Sequence, residues 1–111
     1  MAKIAVVEDN DAMREQLCGF IAQYARESGR QLDVTAFADG AEIVDPYRPG
    51  FDIIFLDIEM PTLGGMPTAE RIRQVDPDVV LVFVTNMAQY AIRGYEVDAL
   101  DFVLKPVSYY Q

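Results

Sequence analysis

Residues 51–61, FDIIFLDIEMP, contain the stretch that decides the fold class of this chain. The apolar run at 53–56 is too short for a helix, and it lies between a Pro-Gly pair at 49–50 and Pro61. A short apolar run between such breakers predicts a strand that is buried on both faces, as in a parallel sheet. Asp57 follows the run directly. Its carboxylate is therefore predicted at the carboxyl end of a buried strand, where open α/β sheets bind their ligands.

Composition and net charge limit the domain count and the kinds of binding and catalysis that are open to this chain. The 111 residues are enough for one domain with one core, and 51% hydrophobic residues are typical of a folded globular protein. Nine basic and eighteen acidic residues give a net charge of −9. This charge argues against nucleic-acid binding by this segment, because counterion release from phosphates requires a basic surface. The absence of histidine excludes imidazole catalysis and histidine metal ligation.

The cysteine count and the hydropathy pattern indicate the cellular compartment in which the protein acts. The single cysteine, Cys18, excludes an internal disulfide and is typical of a reducing environment. The longest apolar stretch, at 79–84, is far shorter than a membrane-spanning helix, and no signal peptide precedes the first strand-like run. We therefore expect a cytoplasmic protein that does not contact a membrane.

Apolar runs and helical patterns alternate along the rest of the chain. Further strands are predicted at 4–7, 34–37, 79–84 and 100–104. Helices are predicted from a cap at Asn10 or Asp11 to a stop at Ser28-Gly29, from a cap at Asp39 through residues 43–44, at 66–75 and at 88–96. This alternation predicts one α/β domain with a parallel sheet, right-handed crossovers and helices on both faces.

Polar residues follow four of the predicted strands. Because parallel strands end at the same edge of a sheet, these side chains are predicted to converge. Carboxylates that lie close together repel one another and need a cation. Oxygen ligands without histidine or cysteine favour Mg²⁺. The residues in question are Glu8, Asp9, Asp57, Thr85 and Lys105.

Phosphoryl transfer is the chemistry that this set of groups favours. A carboxylate beside Mg²⁺ is a nucleophile toward phosphorus. The cation and a lysine would neutralise charge on the phosphoryl group, and a threonine hydroxyl would bind one of its oxygens. An ionised carboxylate needs no general base, which agrees with the absence of histidine.

The same residues resemble a known family. The acidic pair at 8–9, the segment 55–61, Thr85 after an apolar strand and the Lys-Pro pair at 105–106 resemble the response-regulator receiver domain of two-component signalling, over the whole range 1–111. The resemblance implies a flavodoxin-like, doubly wound sheet of five parallel strands in the order 2-1-3-4-5. It implies a phosphoryl group passed from a sensor histidine kinase to Asp57.

The resemblance also implies roles for the other residues. Glu8 and Asp9 would be the acidic pair that positions Mg²⁺, with Asp9 the direct ligand, and the backbone carbonyl of Glu59 would be a further ligand. Lys105 would bind the phosphoryl group, while Thr85 and Phe102 would switch conformation. The family has a cis peptide before the proline that corresponds to Pro106.

A finer resemblance concerns the output. Residues 84–91 and 94–102 resemble receivers that precede a LytTR-type DNA-binding domain, so we expect control of transcription through a domain outside 1–111. The family has a fifth helix after the Lys-Pro pair, and residues 107–111 predict a truncated or absent one. An uncovered sheet face would favour self-association, as a homodimer or by exchange of the C-terminal segment.

Alternative interpretations stay open from the residues alone. The acidic pair is also suited to capping a helix, Lys105 to a solvated surface, Thr85 to a strand end and Phe102 to the core. A phosphohydrolase would use Asp57 as nucleophile and Glu59 as acid/base, although 111 residues leave no room for a substrate-enclosing cap. A phosphorylation-independent interaction module is the third possibility. We expect a regulatory domain with no enzyme activity beyond self-phosphorylation and self-dephosphorylation.

Overall fold

The computed structural model describes residues 1–86, 97–99 and 101–105, with only the backbone at 101–104. The helix predicted at 88–96, the fifth helix, the Phe102 side chain and the peptide bond before Pro106 lie outside the described residues. The elements in chain order are β1 Ala2–Val7, α1 Asp11–Ser28, β2 Leu32–Phe37, α2 Gly40–Val44, β3 Ile53–Leu56, α3 Gly65–Val75, β4 Val80–Thr85 and β5 Asp101–Leu104.

All five strands run parallel in one sheet of order β2-β1-β3-β4-β5. This confirms the predicted flavodoxin-like order. In the register, Val7 pairs with Leu56, and Thr85 pairs with Leu104. The ends of β1 and β3 are therefore level with each other, while β4 and β5 extend two residues further, because Leu56 pairs with Phe83. The residues that follow these strands all lie at the same edge of the sheet.

Local sequence signals set the bounds of the first helix. The Asn10 side chain accepts a hydrogen bond from the Met13 N–H, a standard N-cap. At the other end Gly29 adopts a left-handed conformation with φ of 69°, and its N–H donates to the Ala25 carbonyl. Asn10 is therefore the cap among the two predicted candidates, and the helix ends at Ser28-Gly29 as predicted.

Two apolar clusters cover the two faces of the sheet. Ala5 and Val7 of β1 belong to the larger cluster with α2 and α3, while Val6 packs with Leu17 of α1 in the smaller one. This division follows from the alternation of side chains along a strand. The burial predicted for both faces of β3 is complete on only one of them. Ile54 and Leu56 are buried, whereas Ile53 and Phe55 are half-buried against the smaller cluster.

The apolar helical stripes also extend further in the sequence than in the structure. Tyr24, near the end of α1, and Val75, at the end of α3, continue the spacing of three and four residues that marks the apolar face of each helix, yet both are exposed. Each lies in the last turns of its helix. A helical stripe is buried only where the sheet lies beneath it.

Two glycines allow a matched test of backbone packing. A Cβ on Gly65 would lie 2.8 Å from the Ile58 Cα and closer still to the Asp57 carbonyl oxygen, while a Cβ on Gly19 would meet nothing within 4 Å. We expect Gly65→Ala to lower the free energy of unfolding by about 1–3 kcal/mol through overpacking. Gly19→Ala in the exposed interior of α1 should raise it by roughly 1 kcal/mol. Urea unfolding measures both, and a stabilised Gly65→Ala variant would contradict the packing.

Candidate functional site

Three charged side chains converge at the carboxyl edge of the sheet. Glu8 follows β1, Asp57 follows β3 and Lys105 follows β5. The Lys105 Nζ lies 2.6 Å from Glu8 Oε1 and 3.1 Å from Asp57 Oδ2. The convergence that the topology predicted is therefore present, and one ammonium group bridges two carboxylates from different strands.

Glu8 is a buried carboxylate, with 1% of its surface exposed. Its Oε2 accepts a hydrogen bond from the Asn10 N–H at 3.2 Å. Its Oε1 has the Lys105 charge beside it but no well-aligned hydrogen-bond donor among the described residues. Burial raises the pKa of Glu8 to about 7; Lys105 and the Asn10 N–H oppose the rise, and the neighbouring Asp57 adds to it.

Asp57 is held in a defined orientation. It is buried, and its Oδ1 accepts from the Ile58 N–H at 2.8 Å while its Oδ2 faces Lys105. Its own N–H donates to the Val7 carbonyl at 3.0 Å, an extension of the sheet ladder. The carboxylate is thus fixed by a backbone donor on one oxygen and by a cation on the other.

Lys105 keeps its proton in this setting. Burial favours the neutral amine, but the carboxylates of Glu8 and Asp57 beside it outweigh burial and raise the pKa of Lys105. Its backbone N–H donates to the Thr85 carbonyl at 2.9 Å, which ties the end of β5 to the end of β4.

The carboxylates form a cluster that suits a divalent cation. One oxygen each of Glu8, Asp9 and Asp57 lies within 4.8 Å of the other two. Three ionised carboxylates against the single Lys105 ammonium leave a formal charge of −2. The oxygen-only donors, this excess charge and the poorly satisfied Glu8 Oε1 together fit Mg²⁺, a hard cation that needs few carboxylates and keeps water ligands.

A cleft of about 460 Å³ opens above this cluster. It offers room for water ligands and for a phosphoryl group beside the carboxylates. Glu59 lines it and has an exposed side chain, and the metal-ligand role of its backbone carbonyl stays a prediction. Four lining residues were not predicted for the site, although each follows a strand end closely: Asn10, Met60, Pro61 and Asn86.

Thr85 lies at the carboxyl end of β4, the edge of the sheet at which it was predicted. It is 0% exposed at the end of β4, and Asn86 rather than Thr85 lines the cleft. The roles of Thr85 and Phe102 in switching stay predictions, and the Phe102 side chain is outside the described residues.

With the geometry in place, comparison with known proteins decides the family. The family model of the response regulator receiver domain matches residues 4–111. The chain belongs to this family. The predicted family is confirmed, and with it a regulatory function as a phosphorylation-controlled signalling switch.

Several curated relatives are similar to this receiver domain. The sensory transduction protein LytT of Bacillus cereus is 32% identical over 108 residues, which cover 96% of this chain and 42% of LytT. The transcriptional regulatory protein YpdB of Escherichia coli is 30% identical over 106 residues, which cover 94% of this chain and 41% of YpdB. The chain thus spans less than half the length of these relatives.

Solved receiver structures are similar throughout the chain. The non-phosphorylated HemR receiver domain of Leptospira biflexa superposes with a TM-score of 0.84 at 30% identity, covering 97% of this chain and 85% of that one. The response regulator TrrA of Thermotoga maritima, solved in complex with Mg²⁺-BeF, has a TM-score of 0.79 at 26% identity, covering 98% and 90%. Within the part of the chain that the structure describes, no helix combines the length and apolar character needed to cross a membrane.

The raised pKa of Glu8 predicts a pH dependence of stability in the absence of metal. An acid whose pKa rises from 4.5 to about 7 on folding stabilises the folded state fully below pH 4.5 and loses that contribution as the pH passes 7. We expect wild type to lose stability between about pH 5 and about pH 8 relative to Glu8→Gln, by on the order of 2–3 kcal/mol.

Urea unfolding at the two pH values measures the difference. Glu15→Gln, at an exposed position of α1, is the matched control and should keep the wild-type pH dependence. A Glu8→Gln variant with the wild-type pH dependence would contradict the assignment.

Proposed function

We propose that this receiver domain accepts a phosphoryl group on Asp57 from the phosphohistidine of a sensor histidine kinase, with Mg²⁺ as cofactor. The observation that carries the proposal is the Lys105 ammonium, which lies 3.1 Å from Asp57 Oδ2 beside a three-carboxylate cluster. This is an ionised nucleophile with a cation at hand for the incoming phosphoryl charge.

The transfer step needs no proton removal from the acceptor. An Asp57 carboxylate oxygen bonds to phosphorus, the P–N bond to the kinase imidazole breaks, and its electron pair stays on the imidazole nitrogen. Lys105 stabilises charge on the phosphoryl oxygens. When bound by Asp9, Asp57 and the Glu59 backbone carbonyl, with Glu8 beside them, Mg²⁺ supplies further positive charge at the transferring group. The TrrA complex with Mg²⁺-BeF supports this cofactor.

We propose that the conformational response to phosphorylation starts at Thr85 and Phe102. Thr85 is buried one strand away from Asp57, and its carbonyl accepts from the Lys105 N–H. Its hydroxyl binds a phosphoryl oxygen after a small shift of β4, and the Phe102 side chain rotates with it. A new charge with strong acceptor oxygens is enough to bias such a two-state surface.

The output is proposed to be transcription. LytT is named a sensory transduction protein and YpdB a transcriptional regulatory protein, and both are more than twice as long as this chain. The DNA-binding function would belong to a domain outside 1–111, since the net charge of −9 disfavours DNA binding by this segment. The domain would act in the cytoplasm, as a homodimer, with chemistry limited to self-phosphorylation and self-dephosphorylation.

Replacement of Asp57 tests the acceptor. We expect wild type to take up one phosphoryl group from a small acyl phosphate in the presence of Mg²⁺, and Asp57→Asn to take up none, because an amide is not a nucleophile. Intact mass spectrometry measures the uptake, and a chelator should abolish it. Asp33→Asn, at an exposed position of β2, is the control and should behave as wild type. Uptake by Asp57→Asn would overturn the assignment.

Replacement of Lys105 should have opposite effects on metal binding and on transfer. Lys105→Met removes the cation that neutralises Glu8 and Asp57, so we expect Mg²⁺ to bind about tenfold more tightly because charge repulsion is relieved. Phosphoryl uptake should nonetheless slow at saturating Mg²⁺. Titration calorimetry and uptake kinetics measure the two quantities. Weaker Mg²⁺ binding by the variant would show that Lys105 does not compete for these carboxylates.

A further inference from the structure

A fourth carboxylate near the carboxyl edge of the sheet has no place in the site described above. Asp39 lies between β2 and α2 and is buried, with 7% of its surface exposed. Its Oδ1 accepts from the Ala41 N–H and the Leu63 N–H, each at 2.9 Å, and its Oδ2 accepts from the Thr62 N–H at 2.9 Å. The sequence predicted only a cap for a short helix.

Only one of these three hydrogen bonds is a helix cap. The Ala41 N–H belongs to the first turn of α2, whereas Thr62 and Leu63 lie 23 and 24 residues further along the chain. They belong to the loop that joins β3 to α3. Asp39 therefore joins two segments that share no sheet ladder and no helix. The three N–H donors outweigh the effect of burial and lower the pKa of Asp39, so the group is a carboxylate.

The loop that Asp39 holds is the one that lines the cleft. Glu59, Met60 and Pro61 all face the cleft, and they directly precede Thr62. At its start the loop is fixed by Asp57, whose N–H donates to the Val7 carbonyl. Residues 58–61 therefore lie between a start held by the sheet and an end held by Asp39.

Close backbone packing reinforces the end that Asp39 holds. A Cβ on Gly40, the next residue, would overlap the Thr68 hydroxyl and would lie 2.5 Å from the Leu63 carbonyl oxygen. The Thr68 Oγ1 donates to the Gly64 carbonyl at 2.7 Å. The start of α2, the end of the loop and the first turn of α3 thus leave no space for the loop to shift toward α2.

We propose that Asp39 is a positioning residue for the metal site: its carboxylate holds the loop so that the segment with Glu59 is ordered before the cation binds. The inference rests on the proposed Mg²⁺ site. A loop that is ordered in advance does not lose that conformational freedom on binding, so its ligand binds more tightly. Loss of the Asp39 anchor should therefore reduce affinity for the cation rather than the chemistry of Asp57.

Two substitutions distinguish the role of Asp39 as a cap of α2 from its role in holding the loop between β3 and α3. Asp39→Asn keeps one acceptor oxygen, which serves Ala41 and Leu63, and sets an amide NH₂ against the Thr62 N–H. Asp39→Ser keeps a hydroxyl that caps α2, but its side chain is too short to reach the Thr62 and Leu63 N–H groups of the loop. Asp52→Asn is the matched control, because the Asp52 carboxylate also accepts a backbone N–H, from Lys3 at 2.8 Å, but at the opposite edge of the sheet.

Mg²⁺ titration calorimetry, urea unfolding and amide hydrogen exchange are the measurements. We expect Asp39→Asn to remain folded, to exchange the Thr62 amide faster and to bind Mg²⁺ about fivefold more weakly, the equivalent of one backbone hydrogen bond. Asp39→Ser should bind it more weakly still. Excess Mg²⁺ should restore the wild-type rate of phosphoryl uptake to Asp39→Asn, since the hydrogen bonds from the loop to Asp39 affect only the affinity for Mg²⁺.

Two results would overturn the inference without touching the proposed function. One is an Asp39→Asn variant with faster exchange at Thr62 and wild-type Mg²⁺ affinity. The other is a loss of affinity in Asp52→Asn as large as that in Asp39→Asn, which would reduce the effect to general stability. Failure of wild type to bind Mg²⁺ at all would instead overturn the metal site, and this inference with it.

Discussion

One ammonium group between two buried carboxylates is the interaction on which the arrangement of this site depends. Lys105 comes from β5, Glu8 from β1 and Asp57 from β3, so the contact spans most of the width of the sheet. Buried carboxylates are costly when they are left without a partner. The parallel pairing that brings the ends of β1, β3 and β5 to one edge of the sheet therefore also brings together the charges that compensate one another.

Lys105 neutralises only part of the carboxylate charge, and the remaining negative charge suits the site to a divalent cation. Glu8 and Asp9 come together at the end of β1, and with Asp57 they exceed the charge that one lysine neutralises. Part of the excess is relieved by the raised pKa of Glu8, which favours its protonated form when no metal is bound. A divalent cation would relieve it better, because it would neutralise the carboxylates in place, and under the proposed function Asp57 would then act as the nucleophile.

The loop after β3 lines one part of the cleft, and the residues that follow β1, β4 and β5 line the rest. That loop has no ladder of its own, and its order comes from backbone donors that meet Asp39 and from glycines that allow close approach. A rigid sheet edge and a loop held by a carboxylate are suited to a switch. Under the proposed function, this arrangement would hold the Asp57 acceptor in place while a new charge biases the surface around it.

The sequence by itself determined the fold class, the strand order expected from the family and the positions of Glu8, Asp57 and Lys105. These features depend on local signals: short apolar runs between breakers, and the polar residue that follows each run. The burial of Thr85, the cleft position of Asn86 and the partners of Asp39 were decided only by the tertiary structure. They arise from contacts between segments more than twenty residues apart, or from the height of a strand end relative to its neighbours. Neither leaves a periodic pattern in the chain, so no reading of local spacing could have supplied them.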